Sequence, residues 1–244
     1  MHDRDPSPEA AARPHARIRD LEAWYGESHV LHGMAFDIMP GEVVTLLGRN
    51  GAGKSTTIKA MMGLIGKRSG SVAIAGTETI GLRAREIARL GVGYVPEDRG
   101  IFSSLSVAEN LLLPPKIAEG GMSTERIFAL FPNLKERRSS QGTKLSGGEQ
   151  QMLAIARILR TGTRFLLLDE PTEGLAPVIV SQIGAMLAQL KREGFTILLV
   201  EQNFHFAATV ADRHYVVEHG KVVDMLANED IAVSKAKLNA YLGV

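Results

Sequence analysis

The chain has 244 residues, of which 45% are hydrophobic and 23% charged, ordinary proportions for a soluble globular protein able to bury a full core. Its 28 basic residues are balanced by 27 acidic ones, so a formal net charge of +1 supplies no global field for a polyanion and makes nucleic acid a poor partner. With no cysteine, disulfides and thiolate metal sites are excluded.

In chain order, residues 1–16 are polar and proline-rich with no apolar segment, so they read as a flexible N-terminal tail rather than a signal peptide, followed by one domain over 17–244. From Ile18 to Glu42, short apolar stretches alternate with the turn residues Gly26, Gly33 and Pro40-Gly41, which predicts antiparallel strands. Val43 to Leu47 is β-branched and apolar, the pattern of a strand buried on both faces. A glycine-rich turn precedes a helix predicted over Ser55 to Leu64, with Ile58, Met61 and Met62 available to pack. Strands follow at Ser71–Ile74 and Val92–Val95. The composition then turns helical, broken by Pro114-Pro115 and Gly120-Gly121, which predicts an inserted helical lobe over 97–161. Strands resume at Arg164–Leu168, Phe195–Val200 and His214–Val217, with a helix over Val178–Arg192 between the first two. Alternating strands and helices argue for an α/β fold with a mainly parallel sheet. No apolar run approaches the roughly 18 to 20 residues that a bilayer demands, so work at a membrane would need another chain to span it.

Three motifs carry chemistry. The stretch GRNGAGKS, from Gly48 to Ser55, fits G-x-x-x-x-G-K-[ST] and lies between a buried strand and a helix. Its glycines let backbone N–H groups wrap a phosphate chain at a helix N-terminus. Lys54 can reach the β- and γ-phosphates, and the Ser55 hydroxyl can meet Mg²⁺. In FLLLDEP, from Phe165 to Pro171, two acids end a strand: Asp169 is placed to hold Mg²⁺ through water and Glu170 to polarise an attacking water. Alone such a pair reads as a turn; beside a phosphate loop the functional reading is the stronger. In LSGGEQQ, Ser146 and Glu149 have the spacing of a capping box, and Gly147 and Gly148 allow close approach of a phosphate to that helix start.

These three motifs, in this order, resemble the nucleotide-binding domain of ABC ATPases over Ile18 to Val244. The resemblance implies a P-loop ABC ATPase fold: a RecA-like, mainly parallel sheet, an antiparallel β subdomain and an inserted helical subdomain. It implies ATP and Mg²⁺ as ligands and two domains packed head to tail. The phosphate loop of one (Gly48, Arg49, Asn50, Gly51, Ala52, Gly53, Lys54, Ser55 and Thr56) and the signature of the other (Ser146, Gly147, Gly148 and Glu149) would sandwich each nucleotide. Tyr25 matches the aromatic that stacks on adenine, with Trp24 as the fallback.

The stretches YVPEDRGIF (Tyr94–Phe102), DEPTEGLAP (Asp169–Pro177) and LVEQN (Leu199–Asn203) are similar to the shorter of two ATPases in importers of branched-chain amino acids and related compounds. The similarity implies an ATP-hydrolysing subunit, peripheral to the cytoplasmic face of the plasma membrane. Its partners would be a second, different ATPase, two transmembrane permease subunits and a periplasmic or extracellular binding protein. Importers of urea and short-chain amides are the near alternative. A soluble ABC ATPase acting on ribosomes or DNA is the remoter one, since such relatives carry fused domains or a coiled-coil insertion.

Three positions depart from the general ABC pattern. Glu97 stands where glutamine is usual, and a carboxylate there can still ligate Mg²⁺. Ala176 replaces an aspartate, removing that acid's polar contacts. Gln202 replaces the switch histidine; its amide can donate to a phosphate oxygen but cannot become cationic. His205, three residues on, could share a helical face with Gln202 and is the alternative phosphate contact; it would sit about 4.5 Å further along, more than a hydrogen bond tolerates, so its default role is packing or surface.

Overall fold

Two sheets organise the described residues of this computed structural model, 13–231 and 241; residues 1–12 of the expected tail lie outside them. The first sheet is antiparallel, in the order β2-β1-β4-β5, from β1 (Ala16–Tyr25), β2 (Ser28–Ile38), β4 (Lys67–Ile74) and β5 (Thr77–Glu78). Strand β1 begins at fully buried Ala16, paired with Ile38 and Ile74, at the last position of the expected tail. Its inward positions run Ala16, Ile18, then Leu21 and Ala23, so alternation slips once. The slip is a bulge at Asp20, whose φ is +48°. On the neighbouring strand a Cβ at Gly70 would lie 2.2 Å from the Asp20 carbonyl oxygen, so the bulge dictates that glycine.

The second sheet runs β10-β9-β3-β8-β7-β6. Strands β3 (Val43–Leu47), β6 (Val92–Val95), β7 (Phe165–Asp169), β8 (Thr196–Glu201) and β9 (Arg213–Glu218) are parallel, and β10 (Lys221–Ala227) returns antiparallel at the edge. The expected mainly parallel sheet is therefore present. Its central strands are continuously buried because both faces are covered. Along β8, Leu198 and Val200 join the core shared with the antiparallel sheet, while Ile197 and Leu199 join the core under the helices.

Helix α1 (Lys54–Met61) follows β3 and stops short of the predicted Leu64, because Gly63 turns left-handed at φ +69°. Helix α2 (Ala84–Arg89) leads into β6. Between β6 and β7 the chain inserts α3 (Val107–Leu112), α4 (Thr124–Leu130), α5 (Pro132–Glu136) and α6 (Gly147–Leu159). Fully buried Asn110 ties the entry loop to α3: its amide donates to the carbonyls of Phe102, Leu105 and Ser106 and accepts the Phe102 N–H. Helices α7 (Pro177–Arg192) and α8 (Phe204–Val210) follow β7 and β8. None of the described helices is long and apolar enough to cross a membrane. Residues Leu47, Val95, Asp169 and Glu201 all close parallel strands on the same edge of the sheet, where open α/β sheets hold their ligands.

Candidate functional site

At that edge the loop from Gly48 to Gly53 leaves β3 and turns back into α1. Gly51 (φ +78°) and Gly53 (φ +107°) take left-handed conformations that only glycine adopts without strain. A Cβ at Gly48 would sit 2.3 Å from the Val217 carbonyl oxygen, so β9 passing beneath sets that residue too. The loop closes around Lys54, which is 4% exposed. Its ammonium donates to the carbonyls of Gly48 (2.9 Å) and Arg49 (3.1 Å) and pairs with Glu170 Oε1 at 3.3 Å.

Opposite the loop stand the acids at the end of β7. The Ser55 hydroxyl donates to Asp169 Oδ1 at 2.8 Å, and the Tyr94 hydroxyl to Oδ2 at 3.3 Å. Burial pushes the Asp169 carboxyl above its ordinary range and, with the Asp169 charge, raises the Tyr94 phenol. Glu170 turns left-handed (φ +47°), its N–H donating to the Val200 carbonyl at 3.0 Å. Its Oε2 accepts the Gln202 amide at 2.6 Å, so the carboxylate is held between an ammonium and an amide. A cavity of about 360 Å³ is lined by Asn50, Gly51, Gly53, Lys54, Ser55 and Thr56 on the loop side; Glu97, Glu170 and Glu173 face them.

Glu173 escaped the sequence reading. A hydrogen bond to Glu170, then burial and the charges of Glu170 and Glu97, raise its carboxyl above the ordinary range. The signal was local: the Glu173 N–H bonds the Glu170 carbonyl across one tight turn, which brings back an acid three residues along. The donors suit Mg²⁺, since the Ser55 hydroxyl, Asp169 carboxylate and Glu97 carboxylate are hard oxygens near the phosphate loop. Among the described residues no three acids or histidines form a ready-made metal cage. A Mg²⁺ ion bound with a nucleotide needs none, because phosphates and water supply most of its ligands.

Tyr25 is 50% exposed, whereas Trp24 is already stacked on His29 (centroids 4.4 Å apart) with Lys67 Nζ 5.1 Å from its ring centre. Tyr25 is thus the more exposed of the two aromatics. The signature forms its capping box: Glu149 N–H donates to Ser146 Oγ (3.3 Å), and the Glu149 carboxylate accepts the Ser146 N–H (2.7 Å). Gly148 is pressed against α7, where a Cβ would meet Ile179 at 2.7 Å. Ser146, Gly147, Gly148 and Glu149 do not line the phosphate-loop cavity, so one chain does not bring the two motifs together.

His205 lines a separate groove of about 680 Å³ between α7 and α8, beside Val180, Gly184 and Thr209. Gln202, not His205, touches Glu170. Ala176 precedes α7 in extended conformation and offers no side-chain cap.

A family model described as ABC transporter matches residues 31–173. The high-affinity branched-chain amino acid transport ATP-binding protein BraG of Pseudomonas aeruginosa is 42% identical over 232 residues, covering 91% of this chain and 97% of that protein. The lipopolysaccharide export system ATP-binding protein LptB of Acidithiobacillus ferridurans is 33% identical, with 90% and 92% covered. A solved dimeric ATP-binding cassette in a post-hydrolysis state, bound to ADP and Pi, matches with a TM-score of 0.77 at 25% identity, covering 87% of this chain and 98% of that one.

Proposed function

The chain belongs to the ABC transporter ATPase family, and we propose that it energises import of branched-chain amino acids or closely related solutes. It is an ATPase subunit of a transporter. The import reading rests on one observation: 42% identity to BraG along almost the whole of both chains, against 33% to LptB. The partners of this reading are a second, different ATPase, two permease subunits and a substrate-binding protein, with this chain peripheral on the cytoplasmic face.

The geometry supports a division of labour within the site. Tyr25 stacks on adenine, and the N–H groups of Gly48 to Thr56 cradle the phosphates. Lys54 carries the only ammonium lining the cavity among the described residues, so it neutralises the β- and γ-phosphates. Those phosphates compete with Glu170 for Lys54, which frees Glu170 to accept the proton of the attacking water. The water oxygen bonds to the γ-phosphorus, the bridging P–O bond breaks, and ADP leaves with the electron pair. Ser55, Asp169 and Glu97 would hold Mg²⁺, which supplies charge neutralisation to the phosphates when bound.

Gln202 holds the Glu170 carboxylate from its other side and presents an uncharged N–H donor to the γ-phosphate. Gln202→Ala is expected to lower the single-turnover rate about tenfold, the worth of one aligned donor, with little change in ATP affinity. A parent-like rate would remove the contact from the mechanism.

The proposed function is tested by isolating the tagged chain from native membranes and identifying what copurifies. After reconstitution, leucine, isoleucine and valine should stimulate ATP hydrolysis, and urea or short-chain amides should not. Copurification with a lipopolysaccharide-export permease, or stimulation by amides alone, would overturn the substrate assignment.

A further inference from the structure

Glu201, the last residue of β8, is 3% exposed, and the groups that act on it, Thr172, Asn203 and Glu170, include no basic side chain. Its Oε1 accepts the hydroxyl of Thr172 at 2.7 Å, and its Oε2 accepts the Asn203 N–H at 3.3 Å. These two partners belong to different turns. Thr172, itself 6% exposed, lies in the turn that starts at Glu170, closed by Glu173 N–H to Glu170 O and by Leu175 N–H to Thr172 O. Asn203 opens α8, its side chain accepting the Phe206 N–H at 3.1 Å. Gln202 lies between Glu201 and Asn203, so one buried carboxylate fastens the segment that aims Glu170 to the segment that aims Gln202.

We infer that Glu201 is a positioning residue for hydrolysis: by gripping Thr172 and the Asn203 amide it sets the separation at which Gln202 meets Glu170. The inference rests on the reading of Glu170 as the proton acceptor. A carboxylate buried without a cation costs stability, so folding alone gives no reason for Glu201 at this position.

The groups facing Glu201 are Thr172 and Glu170 from the turn after β7 and the Asn203 N–H from the start of α8. Burial, reinforced by the Glu170 charge, pushes its carboxyl up to about 6, against the pull of the hydrogen bonds from Thr172 and Asn203. Protonation would therefore weaken the charge-assisted grip as pH falls through about 6. The stability effect has the opposite sense: with a raised folded pKa, the group's contribution is complete at low pH and is lost as pH rises through that value.

The test follows ATP hydrolysis between about pH 5.5 and about pH 8.5 by this chain assembled with its partner ATPase, the partner's own phosphate-loop site inactivated so that only this chain's site turns over. Glu201→Gln should keep the KM for ATP, lower kcat about tenfold at neutral pH, erase the step near pH 6 and melt no lower than the parent above that pH. Thr172→Val should lower kcat by a similar factor, Thr172→Ser should restore it, and the double variant should be no slower than either single one. The inference is overturned by a Glu201→Gln protein with the parent's kcat and pH step, or by a Thr172→Val protein with unchanged kcat. Glu170→Gln separates the two ideas. Full activity of that variant removes the underlying reading, whereas an inactive Glu170→Gln beside a parent-like Glu201→Gln removes the positioning role alone.

Discussion

Replacing Glu170 with glutamine is expected to slow ATP hydrolysis by about two to three orders of magnitude while leaving nucleotide binding intact or tighter. The amide oxygen can still accept the Gln202 N–H now seen at 2.6 Å, so the shape of the site is retained and only the basic oxygen is lost. Removing the Glu170 charge also frees Lys54 for phosphate and lowers the Glu173 carboxyl, which Glu170 now holds up. Single-turnover hydrolysis and equilibrium binding of ATP separate these effects. A variant that hydrolysed as fast as the parent would exclude Glu170 as proton acceptor.

The second large effect is expected at Lys54. Its ammonium is bound to the Gly48 and Arg49 carbonyls and to Glu170 inside a loop that leaves it almost no exposure. Lys54→Ala removes the cation from beneath the phosphates and leaves Glu170, Glu173 and Glu97 to repel them. ATP affinity should fall by about a hundredfold or more, as for truncating one partner of a buried charge pair. Lys54→Arg should not restore it, because a planar guanidinium cannot occupy a loop closed around a compact ammonium. Titration with ATP measures both; an Arg variant of parent affinity would show that charge alone suffices.

Legibility in the sequence followed the range of the physical cause. The phosphate loop was readable because glycine conformation, helix start and preceding strand are local, and GRNGAGKS holds all three. The runs Val43–Leu47 and Phe195–Val200 were readable as buried strands because β-branched and apolar residues fill both alternating faces, with Thr45 and Thr196 the polar exceptions. The bulge at Asp20 was not readable, since it depends on how Gly70 of a distant strand approaches. The edge strand β10 was missed because it is half exposed and mixes Lys221, Asp224 and Met225 with its valines. Glu201 looks like a surface acid in a list of residues and acquires its character only where two turns meet, at the end of a parallel register pairing Asp169 with Val200, whereas Glu173 owes its own to Glu170 within one turn. Helical rise favoured Gln202 over His205 without deciding between them; Gln202 precedes α8 and bonds Glu170, while His205 lies on α8 and lines the groove between α7 and α8.

If subunits pair head to tail as the resemblance implies, the absence of the signature from the phosphate-loop cavity of one chain would set the kinetic order of the enzyme. A nucleotide can dock on Lys54 in a single subunit, but Ser146 to Glu149 do not line that cavity, so under the sandwich arrangement a second subunit completes the site. At concentrations below the association constant's reciprocal, the hydrolysis rate should rise with the product of the two subunits' concentrations, and specific activity should level off only once the subunits are paired. Dilution would then act as an inhibitor, and a permease that holds two ATPases together as an activator.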